Sequence, residues 1–201
     1  GPESIIFMLV FMALTYFVVS RGVKGGIEKA NLVMMPALII MAAGVAIYAL
    51  TLPGAIEGLS DYFVPDFSAF SPELVISALG QTFFTLSLAM GIMVTYGSYL
   101  DKTSKLTSSV GQIAGTTFGV SLLAGLMIIP AAFAAMGSGE AVAENSGPTL
   151  MFVVLPQVFG GLGDMAPIIG GVFFILVLFA ALTSSISLVE TCTAIIQDAT
   201  H

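Results

Sequence analysis

Five long apolar stretches constrain this chain more than any other feature of its sequence. A helix that crosses a membrane needs about 20 mostly apolar residues, and the stretches cover residues 5–20, 32–52, 74–100, 110–136 and 168–196. Soluble domains carry about 25% charged residues, whereas charged residues make up 8% of this chain and hydrophobic residues 57%. We therefore expect an all-α, polytopic membrane protein, with residues 1–201 forming a single transmembrane domain.

A shorter apolar segment, "PTLMFVVLPQVF" at residues 148–159, cannot cross a membrane as a helix. Glycines flank this segment on both sides, and glycine marks turns. The segment is therefore predicted to be a re-entrant or surface helix. Pro36, Pro130 and Pro156 are expected to kink helices or to lie at their ends.

The distribution of charge predicts how the spans are oriented. All five basic residues lie in two loops: Arg21, Lys24 and Lys29 follow the first span, and Lys102 and Lys105 follow the third. The loops on the other side carry acidic residues without any Lys or Arg, namely Glu57, Asp61, Asp66, Glu73, Glu140, Glu144 and Asp164. Because basic loops tend to stay in the cytoplasm, we expect a multi-pass protein of the cell (plasma or inner) membrane whose first span runs inward.

Several other classes of protein do not fit the sequence. Cys192 has no histidine near it in the sequence, and no paired acids or phosphate-binding glycine loop are evident, so we expect no enzyme. His201 is terminal and isolated, which disfavours a metal site. The lack of basic patches disfavours nucleic-acid binding, and the first residues, "GPES", have no features of a signal peptide.

The third span has an unusual centre. Its 27 residues would measure about 40 Å as a helix, more than the ~30 Å hydrocarbon core, so it can lose several helical residues and still cross. The middle of the span, "SLAMG", begins with Ser87 and ends with Gly91, and glycine lowers helix propensity. A break here would expose backbone groups that suit an ion and a carboxylate. The alternative is a helix-packing face of small residues.

The residues around this centre resemble a known family. "GQTFFTLSLAMGIMVTYGSYL" is similar to the sixth membrane helix of the neurotransmitter:sodium symporter family, particularly its bacterial amino-acid transporters. "RGVKGGIEKANLVMMPAL" resembles the entry into helix five, and "TLPGAIEGLSDYFVPDFSAF" resembles the extracellular loop that follows. "LLAGLMIIPAAFA" and "FAALTSSISLVE" are similar to helices seven and eight.

This resemblance implies part of the leucine-transporter-type inverted-repeat fold, with one broken helix. The matching segments correspond to helices four to eight of about twelve. The family's first helix, which supplies the other broken segment and much of each site, has no counterpart here. The resemblance therefore implies that the missing helices of the same transporter, the lipid bilayer and an amino-acid substrate are the partners of this chain.

Residues on two spans would line the amino-acid site according to the resemblance. Phe84 would close over the substrate side chain, Met90 would line the pocket, and Ser87 would offer backbone groups. The full set of implied substrate-binding residues is Phe84, Thr85, Ser87, Ala89, Met90, Ser184 and Leu188. Because Phe84, Met90 and Leu188 are apolar, a neutral, hydrophobic amino acid is expected.

Hydroxyl groups on the fifth span favour a sodium site. Ala180, Thr183 and Ser184 are spaced i, i+3 and i+4 and share one helical face. Sodium is a hard cation that prefers oxygen ligands, although such hydroxyls can also bond to their own helix or to a neighbour. The resemblance implies that the Ala180 carbonyl and the two hydroxyls hold one sodium ion, and that Thr85 contributes to a second.

Chloride binding is a weaker expectation. In chloride-dependent members of the family, a Gln and a Ser or Thr on helix six meet an Asn and a Ser on helix seven. Gln81 and Thr85 match the first pair. On helix seven, one alignment gives Ser121 with Thr117 and another gives Val120 with Thr116, and neither supplies the Asn or a substitute carboxylate. The implied weak chloride site therefore comprises Gln81, Thr85 and Ser121.

Three further polar residues have open interpretations. Glu190 is the only carboxylate well inside a span, and it is expected either to function in transport or to reach the interface or cap a neighbouring helix. Tyr96 and Tyr99 lie where interfacial aromatic residues are common, or they belong to an inner gate.

The sequence thus predicts part of a sodium-coupled symporter for neutral amino acids that works by alternating access, with sodium and possibly chloride as its ions. The alternative is a non-transporting membrane fragment or interaction subunit that needs a complementary chain.

Overall fold

A computed structural model describes residues 2–101, 103–145, 147–160 and 163–200 of the chain. Lys102 and His201, which entered the sequence predictions, lie outside these residues. The described residues form helices and turns without a strand, which confirms the all-α class. The α-helices are α1 (Pro2–Val19), α2 (Glu28–Ala49), α3 (Ala55–Phe63), α4 (Pro72–Thr85), α5 (Ile92–Ser98), α6 (Leu106–Met136), α7 (Gly139–Glu144), α8 (Leu155–Gly160) and α9 (Ala166–Thr200).

Four helical segments within the described ranges are long and apolar enough to cross a membrane. They are Pro2–Val19, Val23–Ala49, Leu106–Met136 and Gly163–Thr200. The second begins with a π-helical turn, Val23–Ile27, that runs directly into α2. The predicted third span is divided between α4 and α5, and neither part alone has the length of a crossing helix.

The described residues pack as two compact units. The first comprises the described residues within 2–38, 77–113 and 177–200. In this unit α1 lies against α9: the Oγ1 of Thr15 is 3.1 Å from the Oγ of Ser185. Thr15 is 1% exposed and also donates to the Phe11 carbonyl in its own helix at 3.1 Å, so this buried hydroxyl has partners in both helices.

The second unit comprises Ile39–Ile76 and Ala114–Leu176. Its core is a cluster of apolar side chains centred on α6, namely Ala132, Phe133, Val142, Leu150 and Val154. Gly58 of α3 lies so close to Phe133 that a Cβ there would be 2.8 Å from the Phe133 Cβ. Gly125 leaves the space that the Tyr62 ring fills. Glycine at these two positions therefore permits α3 to pack directly on α6.

The short segment 148–159 is helical in this second unit. It contains a π-helical turn, Leu150–Val154, followed by α8. Leu155 and Phe159 are 1% and 3% exposed, so one face of the segment is buried.

Pro36 lies inside α2 and Pro130 inside α6, so each removes one backbone donor from the middle of a helix.

Asp66 begins a short turn between α3 and α4. Its carboxylate accepts hydrogen bonds from the Ser68 backbone N–H at 2.9 Å and the Ser68 hydroxyl at 2.6 Å. These bonds stabilise the charged form and lower the pKa of Asp66 below its usual value. The carboxylate therefore stays ionised on the acidic loop that the charge pattern assigns to the outer side.

Candidate substrate and ion site

The break in the third span lies at "SLAMG". Helix α4 ends at Thr85 and α5 begins at Ile92, with a single 3-10 turn, Leu88–Met90, between them. Ser87 adopts φ 54° and ψ 29°, and Gly91 adopts φ 72° and ψ −10°. Both are left-handed conformations, and Ser87 is the non-glycine residue that adopts one within the described part of the chain. A left-handed L-residue costs roughly 1–2 kcal/mol, so the surrounding packing must hold this backbone in place.

Hydrogen bonds on both sides show where the helical pattern stops. The Ser87 N–H donates to the Phe84 carbonyl at 2.9 Å, and the regular pattern resumes where the Gly91 carbonyl accepts from Val94 and Thr95 at 3.1 and 3.0 Å. No side chain caps α5 at Gly91. Helix ends leave backbone donors and acceptors without partners in the helix. The break thus presents polar backbone groups in a strongly apolar sequence.

Two tyrosines attach the short helix α5 to α9. The Tyr96 hydroxyl donates to the Ser187 Oγ at 3.2 Å, and the Tyr99 hydroxyl donates to the Glu190 Oε1 at 2.7 Å. Glu190 is 7% exposed. Its side chain therefore connects α9 with the residue that follows α5, within the first unit.

The predicted hydroxyl face of α9 is present. Thr183 and Ser184 both donate to the Ala180 carbonyl, at 3.0 and 3.1 Å, which brings three oxygen atoms together. Each hydroxyl uses its proton in this bond and keeps its oxygen lone pairs. Those lone pairs, with the carbonyl, are ligands that suit a hard cation such as sodium.

A cavity of about 740 Å³ lies within the first unit between these elements. Its lining residues come from α2, α4, the break, α5, α6 and α9, and none of them is charged. They are Asn31, Met35, Gln81, Phe84, Thr85, Ser87, Met90, Ile92, Met93, Tyr96, Ile113, Thr183, Ser184, Ser187 and Leu188. A cavity of this size is within the range of small-molecule sites in proteins.

Most of the predicted substrate residues line this cavity. Phe84, Thr85, Ser87, Met90, Ser184 and Leu188 do so, whereas Ala89 is exposed in the 3-10 turn and is not part of the lining. Of the residues predicted to bind sodium, Thr85, Thr183 and Ser184 line it. Ala180 is not part of the lining, and its carbonyl is linked to the cavity through the two hydroxyls.

Two of the residues predicted for chloride form a hydrogen-bonded pair. The Thr85 hydroxyl donates to the Gln81 carbonyl at 2.8 Å, and the Gln81 Nε2 donates to Thr85 Oγ1 at 3.5 Å. This pair belongs to the first unit. Ser121, the third predicted residue, is exposed on α6 and belongs to the second unit.

Sequence reasoning missed the contribution of α2. Asn31 and Met35 lie one helical turn apart and both line the cavity. Asn31 was an available signal, because it is an uncharged polar residue at the edge of the apolar run that starts at Leu32. Its position relative to α4 and α9 depends on tertiary packing, which the sequence pattern does not specify.

Comparison with known proteins places this chain in a family. The family model described as the sodium:neurotransmitter symporter family matches residues 3–201. The chain belongs to this family, as its sequence motifs predicted, and it is an integral membrane protein.

Individual relatives agree with this assignment. The chain is 46% identical over 198 residues to the uncharacterized sodium-dependent transporter YhdH of Bacillus subtilis (strain 168), covering 96% of this chain and 42% of that protein. An uncharacterized sodium-dependent transporter of Haemophilus influenzae is 40% identical over 98% of this chain and 42% of its own length. The sodium- and chloride-dependent creatine transporter 1 of Oryctolagus cuniculus is 28% identical over 94% of this chain and 30% of its own length.

These lengths bear on what the chain can do alone. It spans about two fifths of the two bacterial relatives, which are themselves described as sodium-dependent transporters. The cavity described above is therefore lined by residues that correspond to part of such a protein.

Proposed function

We propose that this chain is part of a sodium-coupled symporter for neutral, mainly hydrophobic amino acids in the cell membrane. The observation that carries the proposal is the position of the α4–α5 break beside the hydroxyl face of α9, on one uncharged cavity. Irregular backbone at membrane depth is tolerated where it lines a cavity, and broken helices are how transporters of this kind present backbone groups to their ligands.

Sodium would bind at two places on this cavity. The Ala180 carbonyl and the hydroxyls of Thr183 and Ser184 would hold one ion, and the Thr85 hydroxyl would contribute to another beside the substrate. The hydroxyls now donate to carbonyls of their own helices, and their lone pairs remain for the ions. A bound cation would also offset the charge of the substrate carboxylate in a wall that has no basic residue.

The substrate would lie against the break. Phe84, Met90 and Leu188 would contact its side chain, whereas Thr85, Ser87, Ala89 and Ser184 would lie near its polar groups. An uncharged, mostly apolar lining favours a neutral amino acid, because a charged side chain would lose its hydration without gaining a partner. In this proposal sodium stabilises the loaded outward-facing state, and rearrangement of the helices opens the site to the cytoplasm.

The remaining ligands would come from the missing helices of the same transporter. Relatives in which a similar segment makes up 42% of the length support this part of the proposal. The alternative, a non-transporting membrane component, would bind neither sodium nor an amino acid when joined to a complementary chain.

Thermal unfolding of the full-length transporter tests the proposal. Neutral amino acids should raise the melting temperature in sodium chloride and have little effect in potassium chloride, because a ligand stabilises the state that binds it. The same shift in both salts would contradict sodium coupling, and no shift with any amino acid would favour the non-transporting alternative.

A weak chloride dependence through Gln81, Thr85 and Ser121 is also proposed. It is supported by the Gln81–Thr85 pair and by the sodium- and chloride-dependent relative. Replacing chloride by gluconate should lower substrate uptake by the full-length protein, and unchanged uptake would refute the chloride site.

A further inference from the structure

We propose that Tyr96 and Ser187 are positioning residues, whose hydrogen bond sets the separation between the α4–α5 break and the hydroxyl face of α9. Through this bond they couple amino-acid binding to sodium binding. The inference rests on the proposed function and deepens it, because the break would hold the amino acid and the hydroxyl face would hold one sodium ion.

The two halves of the proposed site lie on elements that are far apart in the chain. The break precedes α5, and the hydroxyl face belongs to α9. Helix α5 has 7 residues, and a helix this short is not stable alone. It also follows two left-handed residues, Ser87 and Gly91, so α4 does not continue into it as one rigid rod. Contacts with α9 must therefore determine where the break lies relative to the hydroxyl face.

One hydrogen bond joins the two halves inside the cavity. The Tyr96 hydroxyl donates to the Ser187 Oγ at 3.2 Å, across 91 positions of sequence, and both residues line the cavity. The second tyrosine bond to α9, from Tyr99 to Glu190, joins residues that are not part of this lining. Among the described residues, the Tyr96–Ser187 pair is thus the side-chain bond that links lining residues of two different helices.

Ser187 lies one helical turn from the proposed sodium ligand Thr183. The Ser187 hydroxyl donates to the Thr183 carbonyl at 3.1 Å, so its proton is engaged and its oxygen accepts from Tyr96. The bonds therefore run in one direction, from α5 through Ser187 to the residue whose own hydroxyl would hold sodium. Hydrogen bonds in such a chain polarise and strengthen one another.

The start of α5 also lies close to α9. A Cβ built at Gly91 would be 3.4 Å from the Thr191 Cγ2, which is ordinary van der Waals contact. Helix α5 is therefore held near α9 at two points, by close approach at the break and by the Tyr96 bond further along. Without the bond, α5 could turn about the first point and carry the backbone of the break with it.

Loss of this bond should weaken the coupling between the two ligands. Sodium would still meet the hydroxyl face and the amino acid would still meet the apolar wall, but each would gain less from the presence of the other. The coupling factor is the ratio by which sodium changes the affinity for the amino acid. A hydrogen bond between membrane helices is modest in strength, so we expect this factor to fall about three-fold.

Binding of radiolabelled leucine or alanine to the purified full-length transporter tests this inference. The coupling factor is the dissociation constant at low sodium divided by that at high sodium, with potassium as the replacement ion. Tyr96→Phe and Ser187→Ala should each lower the factor about three-fold. The double variant should lower it no further, because both changes remove the same bond. Ser187→Thr, which keeps a hydroxyl, should retain the wild-type factor.

Ser98→Ala is the matched control. Ser98 lies in α5 and, like Ser187, donates to a carbonyl of its own helix, at 2.7 Å, but it is not part of the cavity lining. This variant should leave the coupling factor unchanged. An equal fall in Ser98→Ala would show that any lost hydroxyl near α5 has this effect, and it would overturn the role of the Tyr96–Ser187 bond.

The outcomes separate this inference from the function on which it rests. An unchanged factor in Tyr96→Phe and Ser187→Ala, or additive losses in the double variant, would overturn the coupling role alone. A wild-type transporter that binds neither amino acid, or binds them equally with and without sodium, would overturn the proposed function as well. If one single variant does not fold, the other makes the same comparison with the wild type.

Discussion

Ser87 and Gly91 place two left-handed residues within five positions of one apolar segment. Sequence alone indicated a weak point there, because serine and glycine interrupt a hydrophobic run. It did not predict which residue would carry the strain, since a serine with positive φ depends on the packing of α5 against α9. Gly91 adopts its left-handed conformation at little energetic cost, because glycine has no Cβ.

Alanine substitution at Gly91 tests this backbone argument. Gly91→Ala should destabilise the full-length protein by about 1–2 kcal/mol, because φ 72° disfavours an L-residue. A new Cβ would meet only ordinary contact, with Thr191 Cγ2 at 3.4 Å, so the penalty comes from the backbone. Thermal unfolding in detergent measures it.

Gly97 provides the matched control. It lies in α5 with open space around it, so Gly97→Ala should be neutral or should stabilise by up to about 1 kcal/mol through helix propensity. Equal effects at the two glycines would show that the left-handed conformation at Gly91 does not matter for stability.

At the scale of helices, α5 depends on its neighbours. It has 7 residues, and isolated helices shorter than about 12 residues are marginal. Tyr96 and Tyr99 supply two bonds to α9. The sequence showed the tyrosines and Glu190, but their pairing joins residues 91 positions apart, which periodicity does not reveal. The assignment of the two tyrosines to an inner gate stays a prediction.

Removing one of these hydroxyls tests the attachment of α5. Tyr99→Phe should destabilise the protein by about 1–3 kcal/mol, because the buried Glu190 carboxyl loses a hydrogen-bond donor. The control is Tyr16→Phe on α1, where the side chain is 71% exposed. Melting temperatures of the purified full-length variants measure both, and a Tyr99→Phe change no larger than the control would contradict this account of α5.

The contact between α3 and α6 gives a second test at this scale. Gly58→Ala should cost about 1–3 kcal/mol, since the new Cβ would overlap the buried Phe133 side chain. Gly44→Ala on α2 meets nothing within 4 Å and should be tolerated. Thermal unfolding compares the two variants, and similar melting temperatures would show that Gly58 is not needed for close packing.

At the scale of the whole molecule, the length of the chain limits its function. The all-α class and the family followed from apolar run length and from motifs such as "TFFTLSLAMG", which are local properties of the sequence. The sequence did not predict that Asn31 and Met35 line the cavity or that Ala89 does not. These features depend on how distant segments pack. In the proposed transporter, the same dependence would extend to the missing helices.

The 201-residue chain alone should therefore not transport. Reconstituted into vesicles with a sodium gradient, it should show no sodium-dependent leucine or alanine uptake, because the missing helices would carry the remaining ligands. Uptake by the isolated chain would refute the proposal that its site is incomplete.

The sodium dependence of amino-acid uptake by a Thr183→Val variant of the full-length transporter tests the central claim most directly. Thr183 and Thr193 are both threonines of α9 that donate to a carbonyl of their own helix, at 3.0 and 2.8 Å, but only Thr183 lines the cavity. Thr183→Val should raise the sodium concentration for half-maximal uptake about ten-fold, as expected for one lost oxygen ligand worth ~1.4 kcal/mol, and Thr193→Val should leave it unchanged. Equal sodium dependence in both variants and the wild type would contradict the assignment of this face of α9 to sodium.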